Sequence, residues 1–254
     1  MAGALNEHWK ALRAASQMIL AVYVCKTAFS FLLLGGFGLA VARAAQRADL
    51  VHVVTTMITS APQQFAAAQW TVVAYGLLGP LLTLLVLAAL LDRPAGALAA
   101  GTRYPQALVI SITRFAVLGF LVGWTFTFSN LLATSVQPAL ETAARVAPLV
   151  IGALAALWLE TAHDLALASL ASDDTPSIRT AFSRGVRGAS VTALAVHGAF
   201  GLLALLLFAA GEAASRSMPW PIAALVVTQA CALAATFAHA GWLSSALARI
   251  SRRV

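Results

Sequence analysis

The chain has 254 residues, of which 61% are hydrophobic and 10% charged. Soluble domains carry about 25% charged residues, so this composition cannot clothe a water-facing surface and excludes an ordinary soluble domain. The net charge of +7 reads as the Lys and Arg excess that membrane proteins keep in cytoplasmic loops, not as a nucleic-acid surface.

A bilayer core of about 30 Å needs about 20 helical residues. Six apolar stretches reach that length, at roughly 16–42, 70–91, 107–133, 147–171, 189–211 and 219–247. They predict an all-α polytopic membrane protein with six transmembrane helices, forming one domain over 1–254. Before the first stretch stand Glu7, His8, Lys10 and Arg13. The run that follows is too long for a signal-peptide core and is expected to stay as the first span. The second span contains Gly79-Pro80, where a kink is expected and a backbone carbonyl loses its helical donor. Between them, residues 51–60 are apolar enough for a short helix lying at the outer interface.

In the third span, Gly119-x-x-x-Gly123 and the alanines around it predict close helix packing, as do Gly35, Gly36 and Gly38 in the first. Trp124-Thr-Phe-Thr-Phe-Ser-Asn130 is rich in hydroxyls, read as glue between helices in preference to the wall of a cavity. Trp9, Trp70, Trp220 and Trp242 lie near span ends, where indoles anchor at headgroup level. Trp124 and Trp158 are expected to pack inside the bundle. Cys25 and Cys231 both fall in spans and read as small buried hydrophobes.

Charge bias orients the bundle. Lys10, Arg13, Arg93, Arg103, Arg179, Arg184, Arg187, Arg249, Arg252 and Arg253 fall on one side, and Arg43, Arg47, Arg145 and Arg216 on the other. With an even number of spans, both termini are expected in the cytoplasm. Short basic stretches precede alternate spans: Gly3 to Arg13, Pro94 to Arg103, and Pro176 to Arg187. Each reads as a cytoplasmic interfacial helix feeding a span, a unit used three times.

The pattern of loop proline, Ala-Leu or Ala-Phe, Gly-x-Arg and then a span resembles bacterial six-span proteins of the YciC-like type. It is also similar to membrane domains attached to some glycerophosphodiester phosphodiesterases. Asp164 to Asp174 followed by Ala181 is similar to a recurring stretch in the same proteins. The resemblance implies architecture and no chemistry.

Charged groups inside hydrocarbon need a reason. At 1.5 Å per residue, Arg114, His197, His239, His163 and Asp164 fall roughly 10–12 Å inside the cytoplasmic face, with Glu160 a turn further out and Lys26 near the middle. Glu160, His163 and Asp164 share one face of the fourth span through their three- and four-residue spacing. Two acids, Glu160 and Asp164, can balance two bases, Lys26 and Arg114. The first expectation is an ion-pair clasp between helices. A proton or ion pathway is the second. A metal or haem site using His163, His197 and His239 is the third. Glu160-x-x-His163 has the spacing of di-iron carboxylate bundles but occurs once, where such bundles need it twice.

No phosphate-binding loop, nucleophile elbow or His-Glu-x-x-His motif is present, so no enzymatic activity and no cofactor are expected. The expected role is a non-enzymatic integral subunit of a bacterial transport or assembly complex in the inner membrane. Its expected partners are lipid and other membrane or cytoplasmic subunits, with no nucleic acid. An autonomous proton- or ion-coupled carrier or channel is the alternative, and a metal- or haem-binding subunit the third reading.

Overall fold

Long Leu-, Ala- and Val-rich runs can satisfy their own backbone in lipid only as helices, and helices are what they form. A computed structural model describes residues 9–28, 62–91, 96–172 and 177–251. In chain order these give α1 (9–28, with a turn at Ala15), α2 (Pro62–Leu90) and α3 (Gly96–Ser135). A 3-10 turn, Pro138–Leu140, then leads into α4 (Glu141–Ser172). The rest is α5 (Ile178–Gly188), α6 (Val191–Ser217) and α7 (Pro221–Ser251). No strand occurs among the described residues.

Four stretches are long and apolar enough to cross a membrane: Ala100–Ser135, Pro138–Ser172, Val191–Ser217 and Ile222–Ser251. They carry the last four predicted spans, and the protein is membrane-embedded. The span expected at 70–91 falls on α2, which includes the apolar helical stretch Gly76–Leu90. The span expected at 16–42 is described only to residue 28, and the interfacial helix expected at 51–60 lies outside the described residues.

The bundle is organised around α4. Every residue from Thr161 to Ala171 is buried, because α2, α3, α5, α6 and α7 all pack against this helix. The stretch Ala-Leu-Ala-Ser-Leu-Ala supplies the small side chains that let neighbours approach. α5 comes closest: a Cβ on Gly185 would collide with Ala162 O. Around this half lies the apolar core, including Ile19, Leu84, Leu87, Leu165, Leu170 and Leu243.

The three-fold repeat does not survive as a structural unit. Residues 178–188 form a separate short helix, and Ser190 then caps α6 by accepting from Ala193 N. Residues 96–103 instead run unbroken into α3 through Pro105. The N-terminal copy is described only from residue 9. What the two described copies share is an arginine used on α4. Arg103 Nη1 donates to Ala171 O at 2.7 Å, satisfying one of the carbonyls a helix end leaves open. Arg184 Nη1 reaches Ser169 Oγ at 3.4 Å.

Several facing predictions are overturned. Trp242 is 0% exposed and packs in the core, while Trp124, at 53%, and Trp158 point outward. Depth along a helix does not fix rotation about it, and here rotation decides. Gly119 and Gly123 have nothing within 4 Å of where a Cβ would stand, so that motif lines an open face. Helix contact is close at Gly152 against Thr125, Gly211 against Cys231, and Gly241 against Phe200. Cys25 is exposed, not buried. The hydroxyls of the third span divide. Ser129 donates across to Arg145 O at 2.6 Å, whereas Thr127 bonds back to Gly123 O.

Candidate functional site: a polar cavity inside the bundle

Helical spacing delivers polar groups to one place from five helices. α4 contributes Glu160, His163 and Asp164 on a shared face, as their spacing requires. Ser111 and Arg114, three apart on α3, face them, and α6 brings His197. His239 and Trp242, again three apart, come from α7. From α2, Gly79, Pro80 and Thr83 close the space. Between these helices lies a cavity of about 270 Å³, roomy enough for several waters. Its walls include Arg114, Glu160, His163, Asp164, His197 and His239.

Pro80 lacks the N–H that would bond back to the preceding turn. α2 nevertheless continues as one helix through it. The hydroxyl of Tyr104 donates to Leu77 O at 2.9 Å within the same turn.

The four charged residues that sequence placed at one height do assemble, though not as a closed quartet. Arg114 pairs with Glu160, its Nε and Nη2 each 2.7 Å from Glu160 Oε1. The two side chains are 23% and 28% exposed. Asp164 is held by His163 and Trp242. His163 Nδ1 donates to Oδ1 at 3.0 Å, and Trp242 Nε1 donates to Oδ2 at 2.8 Å. Lys26 lies within electrostatic reach of Asp164.

For neutral rings, hydrogen-bond direction selects the histidine tautomers. His163 gives its Nδ1 proton to Asp164, so its Nε2 accepts from Ser111 Oγ at 2.9 Å. Thr161 donates its hydroxyl to Leu157 O at 2.7 Å and therefore accepts from His197 Nδ1 at 2.9 Å. Nε2 of His197 then stands 3.8 Å from Oδ2 of Asp164, a bare lone pair in the neutral imidazole and a donor in the imidazolium. In the neutral form two acceptors face each other across this gap. The His197 ring cannot easily turn away, because it stacks on Trp242 with centroids 4.5 Å apart and planes 1° from parallel.

The order Ser111, His163, Asp164 matches nucleophile, base and orienting acid. A hydrolase also needs donors aimed at a developing oxyanion. Here α3 and α4 run as unbroken helices past the site, so their amide protons are engaged within the helices. Ser111 is 1% exposed. The arrangement orients His163.

Metal binding fares no better in geometry. The three histidines do come from three helices, but both nitrogens of His163 and one of His197 are already bonded. Among the described residues no group of three His, Cys, Asp or Glu side chains is arranged to hold a metal ion.

Ser111, Thr161 and Trp242 were not anticipated from sequence. The signal was available: Ser111 stands three residues before Arg114, and Trp242 three after His239, on the faces those groups had already marked.

A helical membrane bundle with a polar cavity walled by two carboxylates and three histidines is the class that fold and site define. Comparison with protein-family models, curated proteins and solved structures finds no match.

Proposed function

We propose that the protein is a proton-handling carrier or channel of the bacterial inner membrane, with Asp164 and His197 as its proton-binding site. One observation supports this above others: Nε2 of His197 faces Oδ2 of Asp164 at 3.8 Å, an imidazole and a carboxylate side by side at a spacing where one proton changes how they interact. With His197 neutral the two are facing acceptors that repel in a low-dielectric interior, and a proton placed in the gap turns that repulsion into a charge-assisted hydrogen bond. The cavity supplies room for the water that delivers the proton. Glu160 and Arg114 neutralise one another at its rim, which leaves the Asp164 region as the part whose charge can change. Lys and Arg placement favours cytoplasmic termini, with this site in the cytoplasmic half of the bilayer.

A role as an accessory subunit rested on the lack of any recognisable working site in the sequence. The cavity gives the chain a candidate site of its own, so independent proton movement takes precedence over both the subunit role and a purely structural clasp.

Purified protein in liposomes loaded with a pH-sensitive dye tests the proposal. The wild type should dissipate an imposed proton gradient. Asp164→Asn, nearly isosteric but unable to take up the proton, should reduce the rate to that of empty vesicles while the bundle still folds. Equal rates for wild type and Asp164→Asn, or no flux in the wild type, would return the cluster to a structural clasp.

A further inference from the structure

Beside the main cavity lies a second space between α1, α2 and α7, of about 10 Å³. Its polar lining is Lys26, Thr83, Thr236 and His239, and its walls are apolar, Ile19 and Leu243 among them. Thr83 and His239 also line the main cavity, so these two side chains form the partition between the spaces. His239 lies within electrostatic reach of both Asp164 and Lys26.

The dimensions decide what can pass. A cavity needs roughly 10–15 Å³ on this measure to hold one water, so the smaller space accommodates a single molecule. We infer that Thr83 and His239 form a one-water neck between the Asp164 cavity and Lys26, passing protons and excluding metal cations. This inference rests on the proton reading above and names the ion and its route.

A proton needs no hydration shell to travel; it moves by exchange along hydrogen bonds. Imidazole suits this, since one ring nitrogen can accept while the other gives. The balance is simple: a proton from Asp164 or His197 enters one His239 nitrogen, a proton leaves the other to the neck water, and that water hands one on to the Lys26 amine in its neutral form. Thr83 lines both spaces from the α2 side, and its hydroxyl is the group this route uses to bond that water. Thr236 donates to Ala232 O at 3.0 Å, which leaves its oxygen able to accept from the water. A sodium or potassium ion would have to shed most of its shell, and hard cations demand several oxygen ligands in return. Two threonine hydroxyls cannot supply them.

The same liposomes test this with two dyes, one reporting protons and one reporting sodium or potassium. The wild type should pass protons and no measurable sodium or potassium. Thr83→Val keeps the shape and removes the hydroxyl, and His239→Leu removes the relay. Each should slow proton flux by at least about tenfold, the rate equivalent of one lost hydrogen bond to a moving charge. Thr83→Ser should recover most of what Thr83→Val loses, which separates loss of the hydroxyl from damage to the fold.

Flux that depends on Asp164 but is untouched by both Thr83→Val and His239→Leu would overturn the neck and leave the proton site standing. Sodium or potassium moving as fast as protons would overturn its selectivity. A wild type that passes no protons would end both proposals.

Discussion

The two ends of the bundle use polar residues in opposite ways. From Thr161 to Ala171 α4 is buried on all sides, and its polar groups bond across to other helices. Thr161 meets His197, His163 meets Ser111, and Asp164 meets Trp242. Toward the other end of the bundle, polar groups mostly satisfy themselves locally. Thr127, Thr134 and Ser135 bond back to carbonyls of their own helix. Glu141 pairs with Arg145 and Glu212 with Arg216, each four residues on along one helix. Local bonds make a helix tolerable in its surroundings. Cross-helix bonds fix where one helix stands against another, and they cost most when broken because the surviving partner stays buried without its bond.

That contrast sets an order of expected effects. The sharpest should come from Gly185→Val, which drives a side chain into the α4 backbone at Ala162. Overpacking of this kind costs about 1–3 kcal/mol or more, read as a lower melting temperature in detergent. Next is Trp242→Phe, which leaves a smaller aromatic ring beside His197 and removes the donor to Asp164. Leaving a buried carboxylate oxygen short of its bond should cost about 1.5–3 kcal/mol and slow proton flux in liposomes.

Arg114→Gln should have a smaller effect, about 1–2 kcal/mol in the same melting experiment. Its pair with Glu160 lies at the cavity rim, and partial exposure moderates the penalty for stranding the carboxylate. Smallest of all should be Gly119→Ala and Thr127→Val, on the open face and in the self-bonded region. Each should stay within about 0.5 kcal/mol, and neither should change flux. A large loss from Gly119→Ala, set against a mild one from Gly185→Val, would invert the comparison.

Much of the site could be read in the sequence because it depends on spacing along helices. The shared face of Glu160, His163 and Asp164 follows from their separation, and the common depth of Arg114, His197 and His239 follows from counting residues. Rotation does not follow from counting. Trp242, near the end of its span, reads as a headgroup anchor, yet its indole turns inward to a carboxylate that offers a hydrogen bond. Trp124, deeper in its span, finds no such partner and stacks on Phe128 at the surface with centroids 4.9 Å apart.

Small-residue motifs mislead for a related reason. Gly119-x-x-x-Gly123 allows a neighbour to approach closely, but the presence of that neighbour depends on the rest of the bundle. Gly185 lies in a short amphipathic helix that sequence places at the interface. It makes the tightest approach because α4 offers it an Ala-rich backbone. Four of the predicted spans emerged intact since their length and apolarity leave no alternative in lipid, whereas the expected repeat dissolved once Pro105 proved compatible with a continuous α3.

The central claim is that the gap between His197 and Asp164 takes up a proton. Nitrogen NMR of histidine-labelled protein in bilayers, stepped through pH, reads it directly. Whether imidazole or carboxyl carries the proton, its arrival moves the Nε2 resonance of His197 away from that of a bare lone pair while Nδ1 stays bonded to Thr161. The account predicts that movement in the wild type and its displacement to a different pH in Asp164→Asn. An Nε2 resonance that never moves while the protein remains folded, or that moves identically in both proteins, would contradict it.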